Sequence, residues 1–192
     1  MTGLDDLRHE IAAHPSNAWA TEQGWQPLVI GSPASRVLLI SQAPGRRAQE
    51  TGIPWNDASG VRLRSWLGVS DDEFYDTSRF AIVPMDFYYP GKAPSGDKPP
   101  RPGVAPLWHP RVLETLRDVR LTILVGSYSQ RYYLGRTRGA TLTDTVRGAS
   151  EYLPSFPIVH PSPLTLGWQR RNPWFETETL PELRAHVRHA LA

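Results

Sequence analysis

The stretch Phe156-Pro157-Ile158-Val159-His160-Pro161-Ser162-Pro163-Leu164 ends a β-rich run on an imidazole. Pro161 and Pro163 stop any regular ladder there, because neither has an N–H to donate. His160 is therefore handed to a stiff turn, with Leu164 on its far side. Histidine is the side chain whose ordinary pKa lies near neutrality, and loop residues on a rigid scaffold are where catalytic groups concentrate. The same placement also suits a histidine that only caps backbone carbonyls. Two further segments follow β-type runs in the same way: Gln42-Ala43-Pro44-Gly45, a turn by composition, and Met85-Asp86-Phe87-Tyr88-Tyr89.

Those segments need a scaffold that brings them together. Continuous β-type runs lie at 36–41, 80–84, 121–126 and 157–160, and continuous apolar runs mark strands buried on both faces. Helical spacing predicts helices over 4–13 (Leu4, Leu7 and Ile11 inward), 57–67 (Val61, Leu63, Trp66 and Leu67), 110–118, 127–134 and 141–147. A last helix begins near 172 or 181 and runs to the end, with Leu183, Val187 and Leu191 on one face. Thr2 or Asp5 suits the first cap, Asp57 or Ser59 the second, and Gly68 is a stop. Residues 46–56 read as a loop. Residues 85–106 form a long proline-rich stretch whose aromatics argue against disorder. Strands alternating with helices imply a three-layer α/β/α sandwich around a mainly parallel four-stranded sheet, in one domain over 1–192. Ligands of such sheets bind at the carboxyl ends of the strands. Segments 42–45, 85–89 and 160–164 should therefore converge on one cleft.

Composition narrows the chemistry. With no cysteine, disulfides, thiol catalysis and cysteine-held iron–sulfur or zinc sites are excluded. No run of about 18 apolar residues exists, so no membrane span is expected. Residues 1–6 lack the basic start and apolar core of a signal peptide, and a cytoplasmic monomer is the expectation. Net charge is only +2, and lysine occurs only at Lys92 and Lys98. The many arginines suit bidentate phosphate contacts, and equally an arginine-rich genome. Ser127 follows Gly126 without a G-x-S-x-G elbow, which argues against an α/β hydrolase.

The motifs resemble those of the uracil-DNA glycosylase superfamily. Ser41-Gln42-Ala43-Pro44-Gly45 is similar to its first motif, read as G-Q-D-P-Y, G-E-A-P-G, G-L-A-P-A or G-M-N-P-G. His160-Pro161-Ser162-Pro163-Leu164 is similar to the second, H-P-S-P-L. Gly52-Ile53-Pro54-Trp55-Asn56-Asp57-Ala58-Ser59-Gly60 resembles the G-R-P-F-x-G-x-x-G segment of the iron–sulfur branches. The likeness covers roughly 36–175, in order. It implies an enzyme that flips a damaged nucleotide out of DNA and hydrolyses the bond between base and deoxyribose. The implied partner is DNA holding uracil or a related damaged base, and no metal or organic cofactor is implied.

By that resemblance His160 donates a hydrogen bond to the uracil O2 as negative charge develops. Leu164 is the wedge that fills the vacated stack, or else an ordinary loop leucine. Ser162 and Pro163 grip the phosphate backbone from one side, Pro44 and Gly45 from the other, with Lys92 and Arg170 adding charge. Trp55 stands where relatives stack a Phe on the base, or else is a core tryptophan. The chain lacks the four cysteines of the iron–sulfur relatives and so resembles a cofactor-free branch, and it departs from the pattern in two further places. Ala43 replaces an Asp that activates water in one branch, and the asparagine that reads the pyrimidine edge has no match at 83–85. The water role falls to Asp57 or Gln42, with Asp57 equally a helix cap. Gln42, Ala43, Trp55, Asp86, Phe87 and Tyr88 are the expected base pocket. The alternative is a non-catalytic nucleic-acid-binding module of the same fold.

Overall fold

The computed structural model describes residues 3–192; the suggested cap Thr2 lies outside them. In chain order the elements are α1 (Leu4–Ala13), α2 (Ala18–Thr21), β1 (Val37–Ile40), α3 (Arg46–Thr51), α4 (Ala58–Leu67), α5 (Asp71–Tyr75), β2 (Phe80–Ile82), α6 (Val104–Thr115), β3 (Leu121–Val125), α7 (Ser127–Leu134), α8 (Leu142–Arg147), β4 (Ser155–Ile158), α9 (Leu166–Arg171) and α10 (Leu180–Leu191). The four strands form one sheet in the order β2-β1-β3-β4, every pair parallel. No helix among the described residues is long and apolar enough to cross a membrane.

Side chains alternate across the sheet with the two-residue period of a strand. Val37, Leu39, Phe80, Ile82, Ile123, Val125, Phe156 and Ile158 face one core with Leu63 and Trp66 of α4 and Leu183 and Val187 of α10. Leu38, Ile40, Ala81 and Leu124 face the other, with Leu7 and Ile11 of α1 and Trp108 and Val112 of α6. Both faces are covered, as a parallel sheet requires. The expected three layers are present.

Local chemistry sets the helix ends. Asp57 caps α4 by accepting the Gly60 N–H at 2.9 Å, and Gly68 ends it in the left-handed region at φ 71°. Gly3 caps α1, with Asp6 rather than Asp5 accepting its N–H at 3.0 Å. Val61, expected inward, is 62% exposed on the outer side of α4.

Two expectations need correcting. Residues 46–56 are not all loop: they contain α3, whose buried Gln49 donates to the Gln26 carbonyl and accepts from the Tyr89 N–H, both at 2.9 Å. A helix this short has no periodicity to read, and its role is that latch. Helix α6 starts at Val104, not Pro110, which lies inside it. Burial of Ala105, Trp108 and Val112 outweighs the interior proline's lost hydrogen bond. Before α10 the chain makes a turn of π-helix at Phe175–Thr179, burying Phe175 against Trp66 and Trp168.

The long stretch after β2 is pinned rather than loose. Asp86, fully buried, accepts from the Arg101 side chain at 2.7 and 2.8 Å and from the backbone N–H groups of Arg101 and Tyr88. Arg101 also reaches Asn17 and lies over the Trp19 and Tyr88 rings. That pair closes the stretch onto the α1–α2 corner.

Candidate active site

Because all four strands point the same way, the segments that follow them meet at one edge of the sheet. A cavity of about 420 Å³ lies there. It is lined by Ser41 to Gly45 after β1, Pro84 after β2, and His160, Ser162, Leu164 and Thr165 after β4, with Pro54, Trp55, Asp57 and Ser59 from the entry to α4. After β3 comes Gly126 (φ 84°), where a Cβ would stand 3.6 Å from that of His160. The third strand thus contributes space rather than a side chain.

His160 lies two residues beyond the end of β4. Burial lowers its pKa to about 4, against a weaker upward pull from the Asp57 carboxylate. Its ring is therefore neutral at pH 7 and carries one N–H. Neither ring nitrogen bonds to a described residue, so that N–H is free for a ligand. The turn behind it is tied down. Thr165 Oγ1 lies 2.8 Å from the His160 and Ser162 carbonyls, and Arg62 of α4 donates to the Pro161 and Ser162 carbonyls at 3.3 and 3.4 Å. Leu164, at the tip, is 85% exposed.

Trp55 packs beside His160, ring centroids 5.4 Å apart and planes tilted by 32°. Its backbone is left-handed, φ 59°, a conformation that bulky side chains adopt only when their surroundings impose it. The surroundings here are specific. Its carbonyl accepts from Arg64 at 3.0 Å and sits where a Cβ on Gly60 would be, at 1.6 Å. Arg64 is itself held by Asp71 at 2.6 Å and lies over Phe74 and Tyr75. Tyr75 donates to the Pro54 carbonyl at 2.9 Å. Arg62 and Arg64, which escaped the sequence reading, set both walls of the site; on an amphipathic helix they look like ordinary surface charges.

Asp57 is exposed at the cavity rim; Oδ1 caps α4, and no described residue bonds Oδ2. Gln42 and Ala43 line the cavity, half-buried. Pro44 and Gly45 form its lip. Pro163 is exposed at the head of the turn that carries Leu164, and Arg170 is exposed on α9 outside the cavity lining.

Part of the expected pocket lies elsewhere. Asp86, Phe87 and Tyr88 do not line the cavity. Phe87 and Tyr88 are fully buried in the core on the other face, and the Asp86 carboxylate is saturated by Arg101 and two N–H groups. The backbone turns away once past Pro84. Lys92 reaches the rim but pairs with Asp97 at 3.3 Å across a small hairpin. Asp97 is a rim carboxylate that nothing in the sequence singled out. An exposed pair of this kind contributes about 0–1 kcal/mol.

The family model of the uracil DNA glycosylase superfamily matches residues 28–184. The chain belongs to the uracil-DNA glycosylase superfamily. The match takes in every strand and every cavity-lining residue. The absence of cysteine sets the chain apart from the iron–sulfur branches of this superfamily.

A pH dependence follows from two buried histidines. His109 donates Nε2–H to the Pro84 carbonyl, accepts from the Tyr133 hydroxyl, and has its pKa lowered by burial to about 4, as His160 does. Unfolding restores both to about 6.5. Between about pH 6.5 and 4 the unfolded chain therefore binds more protons, and stability falls as pH falls through that window. Urea midpoints should be flat from pH 8 to 7 and drop steadily below 6.5. His109→Gln, which keeps a donor, should shallow that drop; an unchanged slope would contradict the assignment.

Proposed function

We propose that the protein is a monofunctional DNA glycosylase that flips uracil, or a related deaminated base, out of DNA and hydrolyses its N-glycosidic bond, the opening step of base excision repair. The observation that supports this best is the neutral, unpartnered imidazole of His160 in the wall of a cavity that it shares with Trp55. A flipped base would stack on Trp55, a contact worth about 1–3 kcal/mol and indifferent to base identity. As the C1′–N bond breaks, its electron pair moves into the base and negative charge gathers on the ring carbonyls. A neutral N–H already in place stabilises that charge without reorganisation. The sugar becomes positive; the Asp57 carboxylate faces that charge. Water adds to C1′, and its proton passes to Asp57 or to solvent. Gln42 supplies an amide to orient that water. Leu164 is placed to enter the gap left in the stack.

A non-catalytic binding module of the same fold is the second reading. It draws on Ala43, which cannot activate water. Release of free uracil from a labelled oligonucleotide decides between the two. Wild-type protein should release it, and His160→Ala should slow single-turnover excision by about 10²–10³-fold, the effect of losing one oxyanion donor. A loss under tenfold would leave His160 structural.

Leu164→Ala should impair excision from duplex more than from single-stranded DNA, since a single strand has no stack to break. Equal losses on both would exclude the wedge.

Asp57→Asn keeps a good helix cap, so melting should barely move, while the chemical step slows by about a hundredfold. Early melting with normal excision would make Asp57 a cap alone.

A further inference from the structure

The buried part of the cavity lining consists of Leu28, Ser41, Ala48, Pro54, Ile82 and Pro84. Ser41 is its one polar side chain. In the strand alternation Ser41 continues the series Val37, Leu39, and so faces the same side as Ile82 and Pro84. It is 5% exposed, and its hydroxyl bonds no described residue. The backbone around it is already committed. The Ser41 carbonyl accepts from Met85, the Gln42 carbonyl accepts from Asp86, and the Pro84 carbonyl accepts from His109. Proline supplies no N–H. The residue is buried, but its oxygen is not among the sealed polar atoms that lack a partner; it keeps contact with the cavity, where a ligand can supply that partner.

Resting on the glycosylase reading, we propose that the Ser41 hydroxyl is the group that reads the edge of the flipped base, and that it admits both pyrimidines and purines bearing a C(=O)–NH edge, such as uracil and hypoxanthine. A side-chain amide fixes one donor beside one acceptor. A hydroxyl rotates, donating to a ring carbonyl or accepting from a ring N–H as the base requires. The remaining floor, built of aliphatic carbons, carries no polar group that would reject the larger ring. Selection among such bases then falls to how well each carries negative charge as it leaves, which His160 senses.

The test uses Ser41→Ala with three duplexes: one with 2′-fluoro-2′-deoxyuridine, one with 2′-fluoro-2′-deoxyinosine, and one with a tetrahydrofuran abasic analogue. The fluorine destabilises a positive sugar, so binding is read without cleavage. Ser41→Ala should weaken binding to both fluorinated duplexes by about 5- to 150-fold, the range for a buried hydrogen bond left unmade. Affinity for the abasic analogue should be unchanged, since no base edge is present. Changes under twofold, or equal weakening on the abasic analogue, would overturn the assignment. Weakening on the uridine duplex alone would overturn the breadth. A wild-type protein that releases no uracil, combined with base-dependent weakening in Ser41→Ala, would remove the glycosylase reading and leave the Ser41 contact standing. Uracil release with unchanged binding in Ser41→Ala would do the reverse.

Discussion

Every feature of the cleft depends on the hydrogen bonding of one parallel ladder. Parallel neighbours cannot be joined by tight hairpins, so each connection must cross a face of the sheet, and those crossings bury both faces. The chain then leaves every strand at the same edge. Here that edge collects the turn after β1, the turn after β4 and the entry to α4, three segments far apart in sequence. The central place of β1, between β2 and β3, matters most. It sets the Ser41–Gly45 turn in the middle of the edge, and Gly126 after β3 keeps the space between that turn and His160 open.

The cleft works through what it excludes and what it holds rigid. His160 is neutral because burial disfavours its charged form, not because a partner holds it in that state. A neutral ring cannot offset a full negative charge as an imidazolium would, yet in the proposed reaction it could donate its N–H to the departing base without first taking up a proton. Trp55 shows the same logic in the backbone. A left-handed tryptophan is strained, and its persistence needs Gly60, Arg64, Asp71 and Tyr75 acting together. Those groups belong to α4 and α5, so ring orientation and local stability are coupled.

The fold was legible because each buried strand is a short apolar run and because α4 carries its own cap and stop, Asp57 and Gly68. His160, Asp57, Gln42, Trp55 and Leu164 were legible because prolines and glycines mark the turns that present them. Most of the failures depend on contacts with residues outside the local pattern being read. Asp86 looked available because nothing near it in sequence opposes its charge; Arg101, fifteen residues on, does. Lys92 looked free until the hairpin brought Asp97 beside it. Arg62 and Arg64 looked like solvent-facing charges, yet their partners are carbonyls of loops they do not belong to. Helix α3 was missed because six residues are too few to show a period.

Replacing a strand-end carboxylate with Ala43 changes more than the source of a proton acceptor. An acid at that turn would stand on the rigid edge of the sheet, with nothing else to do. Asp57 instead begins a helix, with one oxygen committed to the Gly60 N–H. Protonating it would weaken the bond that starts α4 and would loosen the Gly60 contact that holds Trp55 in place. In the proposed reaction a carboxylate bound in this way would act chiefly by facing positive charge on the sugar, taking up a proton only after water has added. On the proposed reading, the site would favour a dissociative route, in which the glycosidic bond is largely broken before water adds. Such a route asks little of a general base and much of fixed charge and a neutral N–H donor, the two things this cleft supplies.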